Sequence, residues 1–241
     1  GHELSLVGGP VRDAFLGKAS ADLDFATSAR PEETERLLSG WADATWDIGR
    51  EFGTIGAQRR SGGKAVVVEV TTYRSDAYDG GSRKPEVVFG DSLEGDLSRR
   101  DFTVNAMAVR VPSLEFVDPF DGLGDLALKV LRTPVRPEQS FDDDPLRMMR
   151  AARFAAQLGF AVEPATRAAI EAMTGRIEIV SAERVRDELS KLLLAERPRP
   201  GIELFVETGL AEHVLPELPA LRLEIDVLVA VVLVDLEAQR G

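Results

Sequence analysis

Two carboxylates one residue apart are the first sign of chemistry in this chain. In Asp22-Leu23-Asp24-Phe25 the aspartates alternate with apolar residues, so a strand would carry both carboxylates on one face and Leu23 and Phe25 on the other. Like charges held so close repel unless a cation lies between them. Two divalent ions there would relieve the repulsion and could activate a hydroxyl for in-line attack on a phosphate. The plainer alternative is a solvated strand edge. Upstream, Gly8-Gly9-Pro10-Val11-Arg12-Asp13 follows the apolar run Leu4–Val7. A glycine pair between a strand and a helix lets backbone N–H groups face an anion.

Two further stretches carry polar groups in suggestive order. Arg99-Arg100-Asp101-Phe102-Thr103-Val104-Asn105-Ala106 offers an arginine pair for phosphates and Asn105 for a ribose, against the alternative of a surface Arg100–Asp101 pair. In Asp142-Asp143-Asp144-Pro145-Leu146-Arg147-Met148-Met149-Arg150-Ala151-Ala152-Arg153, Asp144 and Arg147 are spaced to meet on one helical face. Arg150 and Arg153 continue that stripe as a cationic ridge. The alternative is an acidic N-terminal cap with ion pairs along the helix.

Composition narrows the chemistry. The 241 residues suffice for one large domain or two modest ones, and 44% hydrophobic with 29% charged residues is an ordinary globular profile. There is no cysteine, which removes thiolate nucleophiles, disulfides and Cys-ligated zinc. Of the two histidines, His2 belongs to a Gly-His start read as an appended remnant, which leaves His213 alone and puts a Ser-His-Asp triad or a histidine metal cluster out of reach. Any metal would be a hard cation on carboxylates. The net charge of −12 argues at first sight against nucleic acid. The charge is uneven, however. Residues 135–200 balance 11 basic against 11 acidic side chains, and ten of those bases are arginine, whereas residues 201–241 carry 2 against 8. Arginine matters because its planar fork suits phosphates and base edges. The longest fully apolar run, 227–234, falls far short of the roughly 20 residues of a membrane helix. No membrane association and a cytoplasmic setting are therefore expected.

The elements that must position these groups read as α/β, then all-helix. Strands are predicted at 4–7, 22–27, 54–59, 64–73, 104–111 and 114–117, with helices at 10–16 and 31–38. Residues 74–96, rich in glycine and charge, read as a long mobile loop. Helices follow, one capped by Asp143 or Asp144 and running to Leu158 with Gly159 ending it, then 163–173, 182–194 capped by Ser181, and 201–208. The boundary between the two halves is expected near 134–140.

Taken in order, these stretches resemble the bacterial family of tRNA CCA-adding nucleotidyltransferases and poly(A) polymerases. The motifs are Leu-Val-Gly-Gly-Pro-Val-Arg-Asp, Asp-Leu-Asp-Phe-Ala-Thr, Arg-Arg-Asp-Phe-Thr-Val-Asn-Ala, Asp118-Pro-Phe-Asp-Gly122 and Asp-Asp-Pro-Leu-Arg-Met-Met-Arg; Ser181-Ala-Glu-Arg-Val-Arg-Asp187-Glu-Leu looks like the family's neck helix. The resemblance implies an α+β chain: a polymerase-β-like nucleotidyltransferase head with a mixed sheet over 1–136, a helical neck that reads the base over 137–200, and a helical body segment over 201–241. It implies CMP and AMP transfer from CTP and ATP to the 3′ end of tRNA, with Asp22 and Asp24 as catalytic ligands of Mg²⁺. Gly8, Gly9 and Arg12 would cradle the phosphates, Arg100 would contact the nucleotide, and Asp101 and Asn105 the sugar. Asp144 would accept from N4 of C or N6 of A while Arg147 donates to the adjacent ring nitrogen, with Arg150 and Arg153 in support. Glu69 is either a third carboxylate near the metals or an outward-facing strand residue. Asp143 stands where the family often has Glu. The stretch 225–241 matches nothing in the family and lacks its long basic tail, and no phosphohydrolase site fits a chain with one histidine after residue 2. Poly(A) addition, or addition of CC or A alone, shares every motif, and the length of 74–96 favours full CCA addition because CC-adding relatives are expected to have a shortened loop. An idle RNA-binding module would have no reason to keep the self-repelling aspartates.

Overall fold

The computed structural model describes residues 1–19, 22–77, 86–90 and 92–220, with Asp22 described by its backbone alone. The chain forms two compact units, one over Gly1–Leu126 and a second from Ala127 onward. Within the second unit, Val130–Leu131 pairs with Ala161–Val162.

The first unit is built on a seven-stranded mixed sheet in the order β3-β4-β5-β2-β1-β8-β9. Its strands are β1 (Leu4–Val7), β2 (Asp22–Thr27), β3 (Ala44–Trp46), β4 (Thr54–Ser61), β5 (Lys64–Thr72), β8 (Ala108–Val111) and β9 (Phe116–Val117). Only β2 and β5 run parallel; the other pairs are antiparallel. Helix α1 (Gly9–Phe15) follows β1, and α2 (Pro31–Ser39) starts on a proline with Glu32 and Glu33 in its first turn, where the macrodipole favours acid.

Alternation divides the sheet into two unlike faces. Leu23 and Phe25 pack with Leu4, Ala57, Val68 and Val70 on one side. On the other, Ala26 packs with Val7, Ala108, Tyr73, Leu93, Leu97 and Ala106. That second face is the one Asp22 and Asp24 share with Ala26, by the two-residue period of the strand.

The expected loop at 74–96 is more structured than its composition suggested. β6 (Arg74–Ala77) and β7 (Glu86–Phe89) pair antiparallel, and α3 (Leu93–Ser98) begins with Ser92 accepting a hydrogen bond from the Gly95 N–H. Its remaining residues, 78–85 and 91, lie outside the described residues. The strand expected from 104 starts instead at Ala108, because Thr103–Asn105 coil into a short 3-10 turn. Phe102 and Val104 are completely buried there, and burying a phenylalanine contributes about 1.5–3 kcal/mol, enough to fix the turn's polar residues in place.

The first unit closes with α4 (Gly122–Leu128), whose first turn is anchored by Asp118 accepting from the Gly122 and Leu123 N–H groups. In the second unit, β10 (Val130–Leu131) and β11 (Ala161–Val162) form a small parallel ladder that the all-helical expectation missed. The helices are α5 (Pro137–Asp143), α6 (Leu146–Leu158), α7 (Pro164–Met173), α8 (Ala182–Leu193), α9 (Arg199–Glu207), α10 (Leu210–Val214) and α11 (Glu217–Ala220). Helix α6 is the hub: its apolar residues, Met148, Met149, Phe154 and the alanines among them, are buried, and it packs on α8 and α9. A Cβ on Gly201 of α9 would collide with the Ala152 carbonyl, so only glycine permits that approach. Among the described residues no helix is long and apolar enough to cross a membrane. The expectations for 225–241 lie outside the described residues.

Candidate active site

In the first unit the site grows from the register of β2 on β5. Asp24 lies opposite Glu69, and in a parallel pair such neighbours point to the same face. Glu69 is exposed and Asp24 partly buried. Of the two readings open for Glu69, the register favours a place beside the aspartates. Carboxylate oxygens in this arrangement are the donor set a hard divalent cation takes. Among the described residues no three acidic or imidazole side chains already converge as a finished metal site, the Asp22 side chain not being one of those described.

Gly8 joins β1 to α1 at φ 71° and ψ −133°, a conformation that side-chain-bearing residues avoid. A Cβ there would also lie 2.8 Å from Nη1 of Arg100. The expectation that its N–H faces an anion needs correcting, because that N–H donates to the Met107 carbonyl at 3.3 Å. Gly8 contributes its backbone geometry and its missing side chain. Gly9 opens the helix.

Two arginines are held close to this turn. Arg12 is buried; its Nε donates to Asp13 Oδ1 at 2.9 Å and its Nη1 to Asn105 Oδ1 at 2.7 Å. Asn105 in turn donates from Nδ2 to Asp101 Oδ1 at 2.9 Å. Asp101 and Asn105, both buried, thus form a relay that fixes Arg12, a connection across 93 residues that spacing could not show. Arg100 donates from Nη2 to Asp96 Oδ2 at 3.1 Å, with Asp96 itself buried on α3. Asp96 went unnoticed in the sequence, although its i,i+4 spacing to Arg100 was a usable signal. Thr103 donates to Asp125 at 2.7 Å, which ties the arginine motif to the Asp118–Gly122 motif.

The second unit holds the other group of expected residues. Asp144 sits in extended conformation just before α6, followed by Pro145 at the helix's N-cap, close to the capping position expected of it. Its Oδ1 accepts from the Leu146 N–H at 3.2 Å and its Oδ2 from Arg184 Nη2 at 2.8 Å. Arg147 is buried, and its Nη1 donates to the carbonyl of Ser140 at 3.1 Å and to its hydroxyl at 2.8 Å. Arg153 donates to the buried Glu188 at 2.5 Å and to Gln157 at 2.8 Å, and its guanidinium lies 4.0 Å from the centre of the Phe154 ring. Arg150 reaches the same Glu188 at 3.6 Å. The arginine ridge is therefore countered by a carboxylate from α8. Ser140, Arg184 and Glu188 were not read as site residues, although the last two lie in the neck-helix motif: Glu188 is 35 residues from Arg153 in the chain, so the partner it holds was not visible locally.

Residues 4–132 match the Poly A polymerase head domain family, and residues 159–221 match a family described as probable RNA and SrmB- binding site of polymerase A. The chain belongs to the poly(A) polymerase head-domain family. Among its relatives is the CCA-adding enzyme of Lacticaseibacillus paracasei, 44% identical over 211 residues, which are 87% of this chain and 51% of that protein. The CCA-adding enzyme of Bacillus subtilis is 40% identical over 214 residues, 88% of this chain and 52% of that one. The chain thus spans about half the length of the curated relatives it matches. A crystal structure of the Bacillus stearothermophilus CCA-adding enzyme in complex with CTP matches with a TM-score of 0.76 and 39% identity, over 87% of this chain and 49% of that one. A tRNA nucleotidyltransferase complexed with a primer tRNA and an incoming ATP analog matches with a TM-score of 0.74 and 31% identity, over 89% and 59%. The mixed-sheet nucleotidyltransferase head followed by helices, expected of this family, is the fold observed.

Proposed function

We propose that this chain carries the catalytic head and base-reading helices of a CCA-adding tRNA nucleotidyltransferase, which transfers CMP and AMP from CTP and ATP to a tRNA 3′ end. The observation that supports this best is the strand register that sets Glu69 beside Asp24 on the face shared with Asp22. Asp22 and Asp24 would hold Mg²⁺, with Glu69 alongside. When bound, the metal ions supply a lowered pKa at the primer hydroxyl and neutralise charge on the triphosphate.

The chain's own residues do the selecting and holding. Arg12 and Arg100, anchored by Asp13, Asn105 and Asp96, present guanidinium forks to the phosphates from a turn that only Gly8 permits. Gly9 brings the helix N-terminus to the same anion. Asp101 and Asn105 act through Arg12 by keeping its fork fixed. Asp144 accepts a hydrogen bond from the exocyclic amine of C or A, and Arg147 donates one to the neighbouring ring nitrogen. U and G place a carbonyl oxygen opposite the carboxylate, and two acceptors repel. Arg150 and Arg153 support Arg147. Without a nucleic-acid template, the protein's own donor and acceptor pattern chooses the nucleotide.

The substrate is an RNA end in the cytoplasm, and binding should fall with salt in proportion to the phosphates its arginines neutralise. Poly(A) addition uses the same residues and is the competing outcome. The test is Asp24→Ala assayed for incorporation of single labelled nucleotides into tRNA lacking its CCA end. Incorporation should vanish while the melting curve stays unchanged; persisting Mg²⁺-dependent incorporation would overturn the assignment of Asp24.

A further inference from the structure

We propose that Trp46 is a stacking platform for a base at the 3′ end of the RNA primer, laid out beside the catalytic carboxylates. The proposal rests on the reading of the first unit as a nucleotidyltransferase head, and it names a residue by which that head holds its RNA end.

The sheet register draws one row across four strands. Trp46 of β3 lies opposite Gly56 of β4, Gly56 opposite Glu69 of β5, and Glu69 opposite Asp24 of β2. Residues directly opposite on paired strands share a face. The adjacent row, Ala57, Val68 and Leu23, packs together on the other face, as strand alternation requires. Trp46 therefore belongs to the carboxylate face. Its indole reaches inward along the row: a Cβ on Gly56 would collide with Cε2 and Nε1 of the ring, so only glycine lets the indole cover that position. Gly56 is buried beneath it, whereas Trp46 keeps part of its surface open. The ring thus stands about 10 Å, two strand spacings, from the strand that carries Asp24.

The direction of attack says what should lie on it. The Gly8-Gly9 turn, Arg12 and the neighbouring Arg100 gather at the end of β1, and β1 flanks β2 on the side away from β5. In the transfer, the primer 3′ oxygen bonds to the α-phosphorus as the bond to pyrophosphate breaks, with entering and leaving oxygens roughly in line. A pyrophosphate leaving on the β1 side requires the primer to enter from the β5 side, over Glu69, Gly56 and Trp46. An unpaired RNA end brings bases with exposed faces, and an aromatic ring accepts any of them because every base has a π-face. That tolerance suits an enzyme whose primer ends in a different base after each addition. Arg60, exposed and four residues from Gly56 on the same face of β4, adds a cation for a primer phosphate.

The chain has two tryptophans, and Trp41 packs under Arg59, which alternation places on the opposite face. Trp41→Phe therefore leaves Trp46 as the single reporter. Its fluorescence is followed while a tRNA acceptor hairpin with an unpaired 3′ end is titrated in, and again with the same hairpin made abasic at that end. The intact end should quench Trp46 and the abasic end should not. In steady-state extension, Trp46→Leu should raise the KM for the RNA about tenfold, the loss of one stacked base, and leave the KM for CTP nearly unchanged. Trp46→Phe should recover most of the loss. Fluorescence that does not respond to an RNA the chain extends overturns the proposal, as does equal quenching by the abasic end. Equal rises in both KM values for Trp46→Leu overturn it too, since that marks a purely structural role. Should Trp46→Leu melt early, the two fluorescence titrations decide, because they keep Trp46 in place. If the unaltered chain extends no RNA and its Trp46 stays silent, the nucleotidyltransferase reading fails and the proposal falls with it.

Discussion

Replacing Gly8 by alanine should damage the protein in a way that its neighbour Gly9 does not. Gly8 holds φ 71° and ψ −133°, and a side chain in such a sparsely populated region costs about 1–3 kcal/mol. The new methyl would start 2.8 Å from Arg100 Nη1, so the guanidinium must retreat by roughly 0.6 Å to reach the 3.4 Å of an ordinary contact. Arg100 does not move alone, because its Nη2 is bonded to the buried Asp96 at 3.1 Å. Gly9 is the control. It lies in the first turn of α1, and a Cβ there meets Arg12 Nη2 at an ordinary 3.7 Å. Alanine in a helix is favoured over glycine by about 0.5–1 kcal/mol, so Gly9→Ala should be neutral or stabilising. Urea unfolding of the two variants should therefore separate them by about 1.5–4 kcal/mol, with Gly8→Ala the weaker. Calorimetric titration with CTP should show the same variant binding less tightly, through the displaced Arg100. Equal unfolding free energies for Gly8→Ala and Gly9→Ala would refute the claim that this turn requires glycine at position 8.

The remaining predictions concern base choice and alkaline pH. Arg147→Ala should lower discrimination of C and A against U and G by about 1–3 kcal/mol, read as ratios of single-nucleotide incorporation, while binding of the triphosphate group changes less. Equal loss for all four nucleotides would make Arg147 a phosphate ligand. Tyr73, completely buried and near Glu3, has its phenol pushed up to about 12, first by burial and then by the Glu3 carboxylate. An unfolded phenol titrates near 10, so the folded state retains this proton longer; that contribution to stability is complete below about 10 and is lost as pH rises through about 12. In a Tyr78→Phe background the remaining phenol should ionise late in an ultraviolet titration of the folded protein, and titration near 10 without unfolding would contradict its burial.

What the sequence showed, and what it could not, follows from the range over which each signal acts. The aspartate pair was legible because alternation is local: residues two apart on a strand share a face whatever else happens. The same reasoning left Glu69 undecided, since its face relative to Asp24 depends on which strands pair and in what register, and β2 and β5, neighbours in the sheet, are separated in the chain by α2, β3 and β4. Asp144 and Arg147 were legible as the two sides of one helix start, because a cap and the first turn are local; Asp144 stands on extended backbone just before Pro145 and α6. The stretch at 74–96 looked like loop because glycine and charge dominate it, whereas its ends are ordered by pairing of β6 with β7 and by the Ser92 cap of α3. The supporting residues, Asp96, Ser140, Arg184 and Glu188, were least visible. Arg184 and Glu188 sit in a legible motif, but their partners lie 40 and 35 residues away, so what each of them holds is recognisable only in the fold.

On the proposed function, the protein itself dictates which nucleotides are added and where addition ends. The decisive experiment is to sequence the 3′ ends formed when this chain, Mg²⁺ and all four nucleoside triphosphates act on tRNA lacking its CCA. The products should gain C, C and A in that order and then stop. Runs of A, or ends that include U or G as often as C, would contradict it.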